Sequence, residues 1–336
     1  SPDRRARPCH RAVWDRGADG RAGRRRRRLM AADPLLAIVG PTASGKTEAA
    51  VAVAEALGAE IVSVDSMLVY RGMDIGTAKP GPAERSRVPH HLLDVAEPEE
   101  PFSVALYQEL ARQAVQEVRA CGRAVLLAGG SGLYLRAIVD DLEFPGTDSG
   151  ARRRLEADAE ALGADRLYRR LADLDPVAAA KIEPANVRRT IRALEVAAVT
   201  GRPFSSFAAA WERYAPDRVR AAGIDVPRDV LAQRIEARVH SMLDGGLLHE
   251  VQALVDRGLF GWLTSSRAIG YAEFARYLAG ELPFEEAVAG TVKRTKELAR
   301  RQMVWFRRDP RIRWFPAGEH GAAAMVGELT EYLRGT

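Results

Sequence analysis

The sequence predicts an α/β fold, a parallel sheet core interrupted by a helical insertion, and three observations carry that expectation. Apolar runs at 35–39, 60–64 and 124–128 alternate with helical patterns at 46–57 and 102–120, the order of strand-helix-strand units. A glycine-rich turn, Gly40-Pro41-Thr42-Ala43-Ser44-Gly45-Lys46-Thr47, joins the first strand to its helix. Between about 140 and 218 the strand pattern gives way to Ala-, Arg- and Leu-rich helical stretches near 150–162, 165–173, 176–181 and 186–199.

Each segment has its own reason. Residues 1–32 are rich in Arg, Gly and Ala without periodicity, which reads as a disordered tail, and Met30 looks like a natural start. A secretory signal is the competing reading there, but the apolar run after the arginines is the strand that feeds the glycine turn. Residues 33–139 read as the first part of the core, with "GRAVLLAGGSGLYL" giving the third strand, a glycine turn and a further helix start. The turn-rich "DDLEFPGTDSG" opens the insertion, set at 140–205 and closed by "TGRPFSSF". Residues 206–330 return to the core, with a strand at 218–226 and helices at 228–243, 246–257, 268–279 and 284–307.

Composition narrows the class. The 336 residues are 47% hydrophobic, enough for a sizeable core, and no window approaches a membrane span. The formal net charge is +5, yet residues 1–29 hold eleven arginines and three aspartates, which leaves 39 basic and 42 acidic side chains in the rest. The globular part therefore has no overall positive field, and any nucleic-acid site must lie in local patches. Cys9 and Cys121 show no spacing that suggests a metal site or a disulfide framework, and a cytoplasmic monomer is the expectation.

The turn at 40–47 is a P-loop, which makes the core P-loop NTPase-like. Its glycines let successive N–H groups point inward at phosphate, Lys46 supplies a positive charge, and the Thr47 hydroxyl can ligate Mg²⁺. A nucleotide hydrolase would also carry an apolar strand ending in a metal-holding Asp, but the candidate strand "RAVLLAGGSG" ends in glycines. The acid stands instead at Asp65, after the second strand, where the carboxyl ends of parallel strands face the ligand crevice. A carboxylate there can take a proton from an attacking hydroxyl or amine, or can merely cap the turn that follows.

"GPTASGKT", "VDSMLVYRGMDIGTAKP", "VPHHLLDV", "AGGSGLYL", "RRTIRALEV", "LAQRIEARVHSMLDGGLLHEV", "AIGYAEF" and "RRQMVWFRR" follow one another over about residues 34–310. Together they resemble the tRNA dimethylallyltransferase family. That resemblance implies a P-loop holding the diphosphate of dimethylallyl diphosphate through residues 40–47, with Mg²⁺ on Thr47, and transfer of the prenyl group to N6 of adenine 37 in tRNAs that read codons beginning with U. It implies Asp65 as general base, Arg238 at the diphosphate, and Ser66, Met67, Leu68 and Ser131 near the target base. Leu68 stands where the family often has Gln, and Arg267 where it usually has Gln or Cys, so both contacts differ here. A P-loop kinase of a nucleoside or small metabolite is the alternative, and a nucleotide-switched RNA-binding module a third.

Basic side chains recur at helical spacing. In "TVKRTKELARRQMVWFRR", Lys293, Lys296, Arg300 and Arg307 share one face and Arg294, Arg301 and Arg308 lie beside it, while Arg188, Arg189 and Arg192 form a patch in the insertion. Solvated charged faces are common, and the resemblance is what raises Arg188, Arg189, Arg192, Arg300, Arg301 and Arg307 to tRNA contacts. Trp305-Phe306 reads as core. His90-His91 invites a metal reading, but no ligand stands at suitable spacing and packing is expected. Arg234 shares a helix side with Arg238 and is left open.

Overall fold

The computed structural model describes residues 34–318 and 321–335, and the Arg-rich tail lies outside them. The chain divides into two compact units, one built from the residues up to Val139 together with those from Pro216 onward, the other from Asp140–Ala215.

The first unit is organised by strand β1 (Leu35–Val39), which runs into helix α1 (Lys46–Leu57) and back to β2 (Ala59–Val64). All six residues of β2 are buried, as a parallel strand covered on both faces requires. A short helix α2 (Pro82–Arg87) and a two-residue strand β3 (His90–His91) follow, then α3 (Val104–Ala120), β4 (Ala124–Gly129) and α4 (Gly132–Val139). The Ser103 hydroxyl caps α3 by accepting from the Leu106 N–H at 3.2 Å.

After the second unit the chain re-enters the sheet as β5 (Val219–Asp225) and continues through α9 (Arg228–Asp244), α10 (Leu247–Asp256), α11 (Tyr271–Leu278), the long α12 (Phe284–Phe306), β6 (Ile312–Pro316) and α13 (Val326–Arg334). The six strands are parallel in the order β3-β2-β4-β1-β5-β6. Because β2 lies beyond β4, the chain changes direction around β1, and the crevice for a ligand opens at the carboxyl ends there.

The second unit is helical: α5 (Ser149–Leu162), α6 (Ala164–Leu174), α7 (Pro176–Ala179) and α8 (Val187–Thr200) enclose Leu155, Leu167, Leu171, Ile191 and Leu194. Asp148 caps α5 and Asn186 caps α8. No strand lies within it among the described residues.

Two expectations need correction. The C-terminal part of the core contains a sixth strand, β6, beside its helices: "IRWFP" pairs with β5 and buries Ile312 and Phe315. The helix expected at 268–279 starts only at Tyr271, because Gly270 at φ 88° ends the preceding turn in a conformation helices do not use. Cys121 lies just past the end of α3, and its companion Cys9, with any pairing of the two, lies outside the described residues.

Candidate active site

The P-loop takes its shape from two left-handed residues. Gly45 at φ 83° is a conformation glycine adopts freely, but Ala43 at φ 64° is a cost that a well-determined loop must offset. Lys46 and Thr47 begin α1, so the loop amides and the positive end of that helix face the same opening. The Lys46 ammonium donates back to the Pro41 carbonyl at 3.1 Å, and the Thr42 N–H donates to Gln302 Oε1, from α12, at 2.8 Å.

β4 closes against β2 at the same end. A Cβ on Gly129 would lie 2.1 Å from the Val64 carbonyl oxygen, so only glycine permits that approach. The Ser131 N–H then donates to Val64 O at 3.1 Å, which leaves Asp65 as the first residue free of the sheet. Its Oδ1 accepts from the Met67 N–H at 2.8 Å, fixing the carboxylate in a turn and aiming Ser66, Met67 and Leu68 along the opening.

These residues line a cavity of about 350 Å³. Part of the lining is polar: Thr42, Lys46, Thr47, Asp65, Arg238 and Gln302. The lining also has apolar members, Ile235, Val239, Met242 and Leu247 from α9 and α10, and Leu298 from α12. Arg267, Arg294 and Arg301 add positive charge, and Asp65 is the one carboxylate in the lining among the described residues. Arg294 is paired with Glu273.

Electrostatics at the site follow from burial. The Lys46 ammonium is brought down to about 8 by desolvation, with Asp65 opposing the shift and Arg238 adding to it. Asp65 is raised above the usual carboxylate range by the same burial, against the hydrogen bond from Met67, the Lys46 charge and the hydrogen bond from Leu68. A base raised in this way is better matched to proton transfer near neutral pH than a solvated aspartate. Arg238 is lowered by burial and stays cationic.

Of the residues expected at the site, 42, 46, 47, 65–68, 238 and 301 line the cavity. Gly40, Pro41, Ala43, Ser44 and Gly45 shape the loop beneath it, and Gly40 carries no side chain where a Cβ would meet Ser44 Oγ at 3.1 Å. Ser131 lies outside the lining and its hydroxyl accepts from the Tyr134 N–H at 3.4 Å, the helix-capping alternative. Arg234 is outside it as well. Arg300 lies along a separate groove between α9 and α12. Arg307 is bound to Asp225 at 2.5 Å and stacks over Trp314 at 4.2 Å. Phe306 is core, as expected, whereas Trp305 is exposed. His91 meets Glu60 at 2.7 Å, and no group of metal-ligating side chains occurs among the described residues.

The residues that sequence reasoning missed are Gln302 and Ser63, and Arg294, read there only as part of a basic helix face, lines the cavity. Ser63 lines the cavity with its hydroxyl buried and without a partner. Gln302 stood inside the quoted "RRQMVWFRR", but a polar residue on a charged helix carries no signal that it reaches a P-loop amide.

The model of the IPP transferase family matches residues 68–309. This chain belongs to the IPP transferase family. A tRNA dimethylallyltransferase of Nocardioides is 50% identical over 288 residues, covering 86% of this chain and 93% of the relative. One from Streptomyces coelicolor is 51% identical, covering 84% and 90%. Among solved structures, the full-length tRNA isopentenylpyrophosphate transferase of Bacillus halodurans aligns with a TM-score of 0.66 at 40% identity, over 90% of this chain and 96% of that one. A eukaryotic dimethylallyltransferase acting on tRNA shares the fold, with a TM-score of 0.73 at 24% identity over 86% and 75%. No helix among the described residues is long and apolar enough to cross a membrane.

In the insertion, Arg188 and Arg189 stand exposed at the start of α8. Arg192 is committed elsewhere: it donates to Glu195 at 2.9 Å and to the carbonyls of Pro145 and Gly146 at 2.6 and 3.1 Å.

Proposed function

We propose that this chain transfers the dimethylallyl group of dimethylallyl diphosphate to N6 of adenine 37 in tRNAs that read codons beginning with U, releasing diphosphate. The observation that carries the reading is the pairing, in one cavity, of a P-loop cation with a single raised carboxylate and apolar lining residues. The P-loop and Arg238 receive the diphosphate, and the apolar residues receive the five-carbon chain. The adenine N6 attacks the prenyl C1 as the C–O bond to the diphosphate breaks. Lys46, Arg238 and the loop amides stabilise the charge that develops on the departing oxygens. Asp65 takes the proton that N6 loses.

The residues present suit Mg²⁺. Thr47 offers a neutral oxygen, the buried Ser63 hydroxyl is free to accept from a metal-bound water, and Mg²⁺ in such sites is held by few protein ligands and mostly by substrate phosphate. When bound through Thr47 and the diphosphate, it supplies positive charge to the leaving group. We take the chain to act as a monomer, and a tRNA substrate supports work in the cytoplasm.

Purified protein, unmodified tRNA, labelled dimethylallyl diphosphate and Mg²⁺ test this directly. Label should enter tRNA at adenine 37, and Thr47→Ala should raise the Mg²⁺ concentration needed for half-maximal rate. ATP turnover without label in the tRNA would refute the reading.

A further inference from the structure

The loop that follows the Asp65 turn is held by a clamp whose carboxylate lies outside the cavity lining. The Glu250 carboxylate, on α10, accepts from three successive backbone N–H groups, Asp74 at 3.0 Å, Ile75 at 2.9 Å and Gly76 at 3.2 Å. The Tyr271 hydroxyl, at the start of α11, donates to the same carboxylate. Its ring lies against Gly76 so closely that a Cβ there would sit 2.5 Å from it. Next to the carboxylate, the phenol is held protonated well above its usual range, chiefly by burial.

The far end of the loop is pinned too. Lys79 is buried and donates to Tyr70 O and Asp74 Oδ1, both at 2.5 Å, and to Asp94 Oδ1 at 2.7 Å. Gly76, Thr77 and Ala78, between the two anchors, line the same cavity as Asp65, Met67 and Leu68. Three N–H groups converging on one carboxylate form an internal anion nest, and such charge-assisted bonds are the strong kind.

From this geometry we infer that Glu250 and Tyr271 are positioning residues for the acceptor. They fix the wall formed by residues 76–78 so that the acceptor base meets Asp65 in register, and they leave the diphosphate side untouched. The inference rests on the transfer reading above. Misplacing a reactive group by about 1 Å costs on the order of 10²-fold, so a wall of this kind matters to rate without touching the reacting atoms.

Glu250→Ala, Glu250→Gln and Tyr271→Phe test it, with three readouts: amide hydrogen exchange at 74–76, the dissociation constant for dimethylallyl diphosphate, and kcat and KM for tRNA. Exchange at 74–76 should rise strongly in Glu250→Ala and modestly in Tyr271→Phe, with the melting temperature of Tyr271→Phe near that of the parent. The kcat/KM for tRNA should fall about 10- to 100-fold in Glu250→Ala and be partly restored in Glu250→Gln, which keeps one acceptor oxygen, while donor affinity stays within twofold. Unchanged kcat and KM despite faster exchange would make the clamp a scaffold strut and overturn the inference, as would an equal loss of donor affinity. Should the parent fail to prenylate tRNA at all, the transfer reading falls, and the exchange data still decide whether Glu250 anchors the loop.

Discussion

Lys46 and Asp65, just past β1 and β2, and Arg238 on α9 are half-buried and share one cavity, whereas on α8 Arg188 and Arg189 stand in solvent. Burial alters the first set: the ammonium is lowered, the carboxylate raised and the guanidinium lowered. The second set is open to water, where interactions of exposed charges are screened beyond about 10 Å at ordinary salt. On the function proposed above, groups of the first kind act on bond-making and respond to pH. Groups of the second kind then act on association and respond to salt.

That contrast is tested most severely at the base. Asp65→Asn keeps the size and the turn but removes the proton acceptor, so kcat should fall about 10²- to 10⁴-fold with donor affinity nearly unchanged. Loss of donor binding with normal single-turnover chemistry at saturation would reassign Asp65 to the donor side.

Lys46→Ala removes the charge facing the leaving group, and a drop in kcat of about 10²- to 10³-fold is expected. Its thermal consequence separates function from structure. A lysine lowered to about 8 is favoured neutral in the folded state, so below that pH it opposes folding, and stability rises as pH climbs from about 8 toward the unfolded value. The variant should therefore melt no lower than the parent at pH 7. A marked fall in melting temperature would show that Lys46 is chiefly a structural strut of the loop.

The pH profile follows from the same two groups. Asp65 must be ionised, and its raised value places the acidic limb of kcat/KM above about 3.9, the ordinary aspartate value. Lys46 must be protonated, so the alkaline limb for the free enzyme should fall near 8. Lys46→Arg, which cannot deprotonate, should lose the alkaline limb while keeping the acidic one. An unchanged alkaline limb would assign it to another group.

Much of the donor side was legible because its chemistry is local. A strand, eight loop residues and a helix are contiguous, and Asp65 ends the next strand, so spacing alone brought them together. What escaped was long-range. Gln302 meets Thr42 across 260 residues, and Glu250 meets Asp74 across 176. Neither interaction leaves a periodic mark, since a polar residue on an amphipathic helix reads as solvated whether or not it folds back on a loop. The strands that were missed, β3 and β6, have two and five residues, too short or too charged for an apolar run. Arg192 and Arg307 show the converse limit: spacing put them among free cations, and the structure ties both to carboxylates.

The smallest effects belong to the exposed arginines. Arg188→Ala with Arg189→Ala should weaken tRNA binding a few-fold and leave donor affinity and kcat at saturating tRNA unchanged. The slope of log affinity against log salt should fall by about 0.7 to 0.9 for each phosphate that the pair neutralises. Arg192→Ala is the sharper control, because its guanidinium holds the buried Glu195 and the 145–146 turn. Removing it leaves Arg152 as the partner of that carboxylate, so the insertion should lose stability while the salt slope stays near the parent's. A salt slope that drops with Arg192→Ala and not with the other pair would invert the assignment, making Arg192 the phosphate ligand and Arg188 and Arg189 ordinary solvated charge.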